Sequence, residues 1–196
     1  MPAKLTLDDI ADLRAYERER ETFREHVIAL KKKRRVAVGP VVTLVFENRD
    51  TVRFQIQEMA RAERMLTDDK VRLELDAYNP LIPGPGQLMA TMFLELTTKD
   101  ELTTWLPRLV SVERSVELHL ADGSAVACTV DPSHAAQLTR DEVTASVHYV
   151  GFDLSASQVE AFAAGPVTLA VTHDAYRFAT PLPPETRDEL LTDLRG

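Results

Sequence analysis

The strongest constraint on the fold is a change of hydrophobic periodicity along the chain. Apolar residues recur at helical spacing over residues 10–30 and again over residues 51–66. From residue 88 onwards, short segments instead alternate apolar and polar residues at period two, which is typical of strands. This order of patterns predicts an α+β protein, with a largely antiparallel sheet, helices packed on it and a long N-terminal helix.

Turn residues divide the chain into elements. Gly39-Pro40 leads into a predicted strand at residues 41–46, and Asp122-Gly123 predicts a hairpin. Further strands are predicted at residues 88–96, 116–120, 125–130, 145–154 and 167–173. Further helices are predicted at residues 71–78, 99–109 and 156–163. We expect residues 1–180 to form a single domain, followed by a linker and a short helix in residues 181–196.

Composition excludes several classes of function. The net charge of −8 argues against general nucleic-acid binding. No apolar run approaches the length of a membrane span, and the first residues lack an apolar signal region, so we expect a cytoplasmic protein. The single cysteine, Cys128, leaves no partner for a disulfide and no set of four thiolates for an iron–sulfur cluster of its own.

One basic run, Lys31-Lys32-Lys33-Arg34-Arg35, opposes the acidic balance of the chain. We interpret it as a solvated helix end, where cations complement the helix dipole. A patch that binds an anion or a protein partner is the alternative.

Polar residues on apolar faces indicate where a site lies, because a buried ionisable group is costly unless it is paired or bound to metal. Glu63 falls within the apolar stripe of the second predicted helix and is therefore predicted to face the core. That stripe consists of Val52, Ile56, Met59 and Leu66. Glu58 lies on a second, smaller strip. A structural explanation for Glu63 would be a buried ion pair with one of three arginines: Arg35, Arg49 or Arg53.

Two histidines share a strand face with aliphatic residues. At period two, His148 falls on the face of Val150 and Phe152, and His173 on the face of Val171. Both imidazoles are therefore predicted to point into the core. Asp174 and Tyr176 lie close to His173 in sequence and are candidates to hydrogen-bond an imidazole. His119, in contrast, shares its face with Glu117 and should be exposed.

If Glu63, His148 and His173 converge, they form a set of two histidines and one carboxylate. Such a set with open positions suits Fe(II), and Zn(II) also fits. Glu58 is a candidate fourth ligand or proton-transfer group. The alternative is a hydrogen-bonded polar network without metal, which still marks a pocket. The chain has no nucleotide-binding fingerprint and no local metal or hydrolase motif.

Six segments, in order, resemble the bacterial family known as domain of unknown function 3501. The most specific is Glu-Leu-Asp-Ala-Tyr-Asn-Pro-Leu-Ile-Pro at residues 74–83, whose Tyr78 and Asn79 are added as pocket candidates. The other segments lie at residues 35–40, 44–49, 55–64, 146–149 and 173–176. The resemblance covers nearly the whole chain and includes Glu58, Glu63, His148 and His173.

The resemblance implies a setting rather than a reaction. Members of the family are often encoded beside a rubrerythrin-like protein and an iron–sulfur oxidoreductase subunit, which implies a role near iron, peroxide or electron transfer. Our first hypothesis is a metal-binding protein, with iron the expected metal, in oxidative-stress metabolism. The second is an accessory protein that docks on such a partner through its first helix. The third is a metal-free enzyme with His148 as general base. The oligomeric state stays open.

Overall fold

Two four-stranded antiparallel sheets and six helices form the part of the chain that the computed structural model describes, residues 4–131 and 143–196. The predicted α+β class and long first helix are confirmed. The helices are α1 Leu13–Arg34, α2 Arg49–Ala62, α3 Asp68–Tyr78, α4 Lys99–Trp105, α5 Ala156–Ala164 and α6 Pro184–Arg195. The strands are β1 Arg35–Val38, β2 Val42–Glu47, β3 Gln87–Leu94, β4 Val116–His119, β5 Ala125–Ala127, β6 Val147–Asp153, β7 Thr168–His173 and β8 Tyr176–Pro181.

Helix α1 begins later than the sequence predicted. Thr6 caps a short 3₁₀ turn, Leu7–Asp9, instead of the long helix. The long helix starts after Asp12, whose carboxylate accepts a 2.8 Å hydrogen bond from the backbone N–H of Ala15. The helical repeat that begins at residue 10 in the sequence therefore starts three residues before the helix itself, which begins at Leu13.

Sheet 1 has the strand order β1-β2-β3-β6. Arg35 begins β1, although the sequence pattern predicted that this residue belongs to the basic end of the first helix. Gly39 turns the chain from β1 into β2 with a φ of +71°, a left-handed conformation that favours glycine. A side-chain carbon at Gly39 would also lie 2.5 Å from Cγ of Phe178, so the turn needs glycine for space as well.

Sheet 2 has the strand order β5-β4-β7-β8. The hairpin predicted at Asp122-Gly123 joins β4 to β5 and is confirmed. Strand β8 was not predicted, because most of its side chains are exposed or half-buried and its apolar residues do not alternate regularly. The expected single sheet is thus two sheets.

The main core lies between the inner faces of the two sheets. Sheet 1 contributes alternate residues such as Leu44, Phe46 and Met92, and sheet 2 contributes Leu118 and Leu169, all fully buried. The sheets also meet at their edges. Thr129 and Gly151 exchange backbone hydrogen bonds of 2.7 and 2.8 Å. On the opposite edge, the Thr180 hydroxyl donates to the Ala37 carbonyl at 2.9 Å.

Helices cover the outer face of sheet 1. Helix α1 packs against β2 and α2, and α2 packs against α3. A second apolar cluster forms between α2, α3 and the N-terminal segment, and the outward residues Met89 and Tyr149 of sheet 1 pack against it. A polar side chain on this outer face therefore lies under helices rather than in solvent.

Residues 181–196 contain helix α6 and pack on the rest of the molecule. Leu182, Leu190 and Leu194 are buried in the main core. Arg34 at the end of α1 is fully buried and holds α6 through two carboxylates. Its guanidinium donates to Asp193 at 2.7 Å and to Glu189 at 3.0 Å. No helix in the described part of the chain combines the length and apolar character needed to cross a bilayer.

Candidate ligand-binding site

A cavity of about 160 Å³ lies between the outer face of sheet 1 and helices α1, α2 and α3. We call it the Glu47 pocket. Its apolar wall consists of Val52, Leu81, Phe93 and Val147. Its polar lining consists of Lys31, Glu47, Thr51, Gln55, Tyr78, Thr91 and Tyr149. A few polar groups among apolar walls are typical of small-molecule sites.

Glu47 reaches the pocket because of strand alternation. In β2, Leu44 and Phe46 point into the main core, so Val45 and Glu47 point to the outer face. Glu47 is only 8% exposed. One carboxylate oxygen accepts the Thr91 hydroxyl at 2.6 Å, and the other accepts the Thr51 hydroxyl at 2.5 Å. Both carboxylate oxygens therefore act as hydrogen-bond acceptors.

The N-terminus of α2 fixes the Thr51 hydroxyl. The Asn48 side chain accepts the Thr51 backbone N–H at 3.0 Å, and the Asn48 backbone N–H donates to the Thr51 hydroxyl at 2.9 Å. The Thr51 hydroxyl has two acceptors in reach, the Glu47 carboxylate at 2.5 Å and the Asn48 carbonyl at 3.1 Å, and the shorter contact is to the carboxylate. The helix cap therefore orients Glu47 before any ligand binds.

Two tyrosines line the pocket opposite the glutamate. Tyr149 lies directly across from Thr91 in the β3–β6 register, and Tyr78 ends α3. Burial raises the pKa of Tyr78, with a further rise from the charge of Glu74. Burial also raises the pKa of Tyr149, and Tyr78 and the charge of Glu47 add to the rise. Both phenols are therefore neutral near pH 7 and present hydroxyl groups and aromatic rings.

The Glu47 carboxylate has no cationic partner in the described residues. No lysine, arginine or histidine nitrogen of residues 4–131 and 143–196 lies within 4.0 Å of it. Lys31 lines the same pocket but stays beyond that distance. Arg34 touches only the Glu47 backbone, donating to its carbonyl at 3.4 Å, while two other carboxylates compensate its charge.

The structure corrects the position of Glu63. Helix α2 ends at Ala62, and Glu63 is its C-cap residue with an exposed side chain. The next residue, Arg64, has a φ of +49°, so the helical stripe does not continue to Leu66, which is 82% exposed. The prediction that Glu63 faces the core is wrong because it extended the helical repeat past the end of the helix.

Glu58 lies in an ion pair between α1 and α2. It accepts the Tyr16 hydroxyl at 2.7 Å and two N–H groups of Arg20 at 2.7 and 2.8 Å. The Arg20 hydrogen bonds lower the pKa of Glu58. These three hydrogen bonds give Glu58 a structural role in holding the two helices together.

His148 points into the main core, as predicted, and is 1% exposed. Its Nε2 lies 2.8 Å from the Ala145 carbonyl and 2.9 Å from the Thr144 hydroxyl. Its Nδ1 lies 4.0 Å from Oε2 of Glu113, itself 1% exposed. Neither of these two atoms has a hydrogen-bond partner among the described residues. Burial lowers the pKa of His148, and the charge of Glu113 opposes this.

His173 is half-buried at the end of β7 and is held by backbone groups. Its Nε2 lies 3.1 Å from the Val110 carbonyl, and its Nδ1 accepts the Ala175 N–H at 3.2 Å. Both ring nitrogens of His173 therefore already have partners.

His119 is exposed, as predicted, and pairs with Glu117 at 2.9 Å.

The predicted supporting residues lie at separate places. Arg35 is paired with Glu95 on the surface, and Arg49 is paired with Asp9. Asn79 bonds the backbone of Leu5 at 2.8 and 2.9 Å and so anchors the N-terminal segment.

The last two predicted supporting residues lie at the β7–β8 turn. Asp174 pairs with Arg177 in solvent at 2.7 Å. The Tyr176 hydroxyl donates to the Val38 carbonyl at 2.6 Å and accepts the backbone N–H groups of Val41 and Val42 at 2.9 and 3.1 Å, which joins the two sheets. Of the predicted set, Tyr78 alone lines the Glu47 pocket.

Within residues 4–131 and 143–196, no three His, Cys, Asp or Glu side chains form a group able to hold a metal ion. Glu58, Glu63, His148 and His173 therefore do not form a metal centre by themselves. The expectations of bound iron or zinc, and of a rubrerythrin-like or iron–sulfur partner, stay predictions.

The centre of the site is formed by residues that the sequence patterns did not predict. Glu47, Thr91 and Tyr149 belong to three different strands, and only sheet pairing brings them together. A signal for Glu47 was present: it ends a largely apolar strand on the phase of Val45 and directly precedes a helix cap. A carboxylate there belongs to the covered face of the strand, not to the turn.

The two sheets and the Glu47 pocket define an α+β protein with a small, helix-covered cavity on one sheet face. The family model described as "Protein of unknown function (DUF3501)" matches residues 4–194, and the chain belongs to this family. A crystal structure described as a novel protein of unknown function from Burkholderia pseudomallei K96243 is 34% identical, with a TM-score of 0.89. The match covers 98% of this chain and 100% of that chain. A comparison with curated proteins found no match.

Proposed function

We propose that this protein binds a small organic molecule in the Glu47 pocket. The observation that carries the proposal is a nearly buried carboxylate on a cavity wall, with each oxygen held by a threonine hydroxyl. A carboxylate has about four acceptor positions, and the two hydroxyls fill two of them. A buried acceptor without a hydrogen-bond partner destabilises the protein. A ligand that donates hydrogen bonds to Glu47 removes this unfavourable free energy.

The pocket is also prepared for binding. The cap of α2 fixes Thr51, and β3 fixes Thr91, so Glu47 needs little reorganisation when a ligand arrives. A site whose polar groups are already ordered loses less conformational entropy on binding.

The cavity volume limits the ligand to about the size of a single ring. An engineered apolar protein cavity of about 150 Å³ holds one benzene molecule. The Glu47 pocket, at about 160 Å³, is close to this volume. A larger ligand would have to extend through the mouth of the pocket into solvent.

The experiment is a titration of ¹⁵N-labelled protein with three probes of similar size: benzylamine, benzyl alcohol and benzoate. We expect at least one probe to shift the amide resonances of Thr51, Gln55 and Thr91. Val147→Phe fills the cavity and should abolish the shifts. Leu73→Phe, at a residue 67% exposed and outside the pocket, is the matched control and should leave them unchanged.

Two outcomes would overturn the proposal. In the first, none of the probes shifts the pocket amides at millimolar concentration. In the second, the shifts persist in folded Val147→Phe protein, which would place the binding elsewhere.

A further inference from the structure

We infer that the ligand of the Glu47 pocket is a small organic cation, a primary amine or amidine on an apolar body of ring size. The inference rests on the proposed function, since it names the chemical class bound at that site. Three properties of the pocket lead to it: its uncompensated charge, its free acceptor positions and its aromatic walls. A fourth feature, Lys31 in the pocket lining, opposes it.

The first property is the charge balance. Glu47 receives hydrogen bonds from neutral hydroxyls only, and no cationic nitrogen of the described residues lies within 4.0 Å. A carboxylate taken out of water without a counterion keeps most of its desolvation cost. A ligand cation restores that interaction, whereas a ligand anion would add repulsion at short range.

The second property is the number of free acceptor positions. After Thr51 and Thr91 have donated, about two acceptor positions remain on the Glu47 carboxylate. A primary ammonium group has three N–H donors, and an amidine presents two in parallel. Either can place two N–H groups on Glu47. Gln55 lines the same cavity, and its side-chain amide carries an oxygen that can accept a remaining N–H.

The third property is the aromatic wall. Phe93, Tyr78 and Tyr149 line the cavity, and burial keeps both phenols neutral. The faces of these rings are electron-rich and attract a cation held nearby. The surfaces of these rings also bury the apolar body of the ligand. Burial of apolar surface supplies most of the binding free energy of an uncharged ring.

Lys31 is the one group in the pocket lining that favours the opposite ligand charge. It lies on α1, half-buried, and is not paired with Glu47. Its long side chain is able to move its ammonium group to solvent, whereas Glu47 is fixed by two hydrogen bonds. The fixed charge is therefore expected to decide which ligand binds.

The test compares the dissociation constants of benzylamine, benzyl alcohol and benzoate, measured near pH 7 by calorimetry or by resonance shifts. These probes have nearly the same size and differ in charge. We expect benzylamine to bind about tenfold or more tightly than benzyl alcohol, because a hydrogen bond to a charged group is stronger than one between neutral groups. Benzoate should bind most weakly.

Three variants locate the effect. Glu47→Gln removes the charge at nearly constant size and should weaken benzylamine about tenfold or more, with about a threefold change or less for benzyl alcohol. Lys31→Gln removes the opposing cation from the pocket lining and should strengthen benzylamine binding by about threefold or less. Glu95→Gln, an exposed carboxylate outside the pocket lining, is the matched control and should change nothing.

The outcomes separate this inference from the proposed function. Two results would overturn the cation class while the pocket remains a binding site. One is equal affinity for the amine and the alcohol. The other is tightest binding of benzoate, with that binding lost in Lys31→Gln. No binding of any of the three probes overturns both. If Glu47→Gln fails to fold, the charge series on the native protein still decides between these results.

Discussion

Glu47 and Glu113 are both buried glutamates, and they lie on opposite sides of sheet 1. Glu47 is on the outer face, where each of its oxygens accepts a hydroxyl. Glu113 lies beside His148 of the inner face, and its Oε2 has no hydrogen-bond partner among the described residues. The Nε of Arg114 lies 3.8 Å from the Glu113 carboxylate, and the Nδ1 of His148 lies 4.0 Å from it.

Burial alone therefore does not identify a carboxylate that binds a ligand. Hydrogen bonds orient Glu47 beside a cavity, so its remaining lone pairs are available to a ligand. Glu113 faces the Nδ1 of His148, which is an acceptor in the neutral ring because Nε2 donates to the Ala145 carbonyl. Two acceptors facing each other in the core affect the stability of the protein and not ligand binding. The effect of changing a buried charge should therefore depend on its partners, and three comparisons test this rule.

The largest effect is expected at Arg34, the buried cation with the most complete set of partners. Arg34→Gln leaves Glu189 and Asp193 without their counterion and should lower the free energy of unfolding by about 3 to 5 kcal/mol. Arg35→Gln, the next residue, breaks only a surface pair with Glu95 and should cost less than about 1 kcal/mol. Urea denaturation measures both, and equal losses would contradict the rule.

The two glutamates should respond in opposite directions to the same substitution. Glu113→Gln places an amide donor beside the Nδ1 of His148. We expect this substitution to raise the free energy of unfolding by about 1 kcal/mol. Glu47→Gln places an amide donor where a threonine hydroxyl already donates, and should cost about 1 kcal/mol. Denaturation of both variants near pH 7.5 tests this. Destabilisation by Glu113→Gln would show that its ionised form is the better partner for His148.

The smallest effect is a pH dependence that His148 contributes. Burial places its folded-state pKa below the ordinary 6.5, so the unfolded chain takes up this proton at a higher pH than the folded chain. The stability that neutral His148 provides is complete above about pH 6.5 and is lost as the pH falls toward the folded-state pKa. We expect the free energy of unfolding to fall more steeply below about pH 6.5 in the native protein than in His148→Gln. Parallel pH profiles would contradict this and show that the pKa of His148 is the same in the folded and unfolded states.

Short-range patterns in the sequence predicted much of the fold. The strand phase that put His148 with Val150 and Phe152 was correct, because side chains alternate strictly along a paired strand. The Asp122-Gly123 hairpin was also correct, since a turn of this type depends on adjacent residues only. The same local rule failed for Glu63, because helix α2 ends at Ala62 and the helical repeat has no meaning beyond that residue.

The α+β class, the faces of most regular elements and the family membership follow from the amino-acid sequence. The pairing of the strands into two sheets and the helices that cover the outer face of sheet 1 are seen only in the folded molecule. The Glu47 pocket depends on this second kind of information. Its lining comes from strands and helices far apart in sequence, and their meeting is set by strand pairing and helix packing, which local periodicity does not encode.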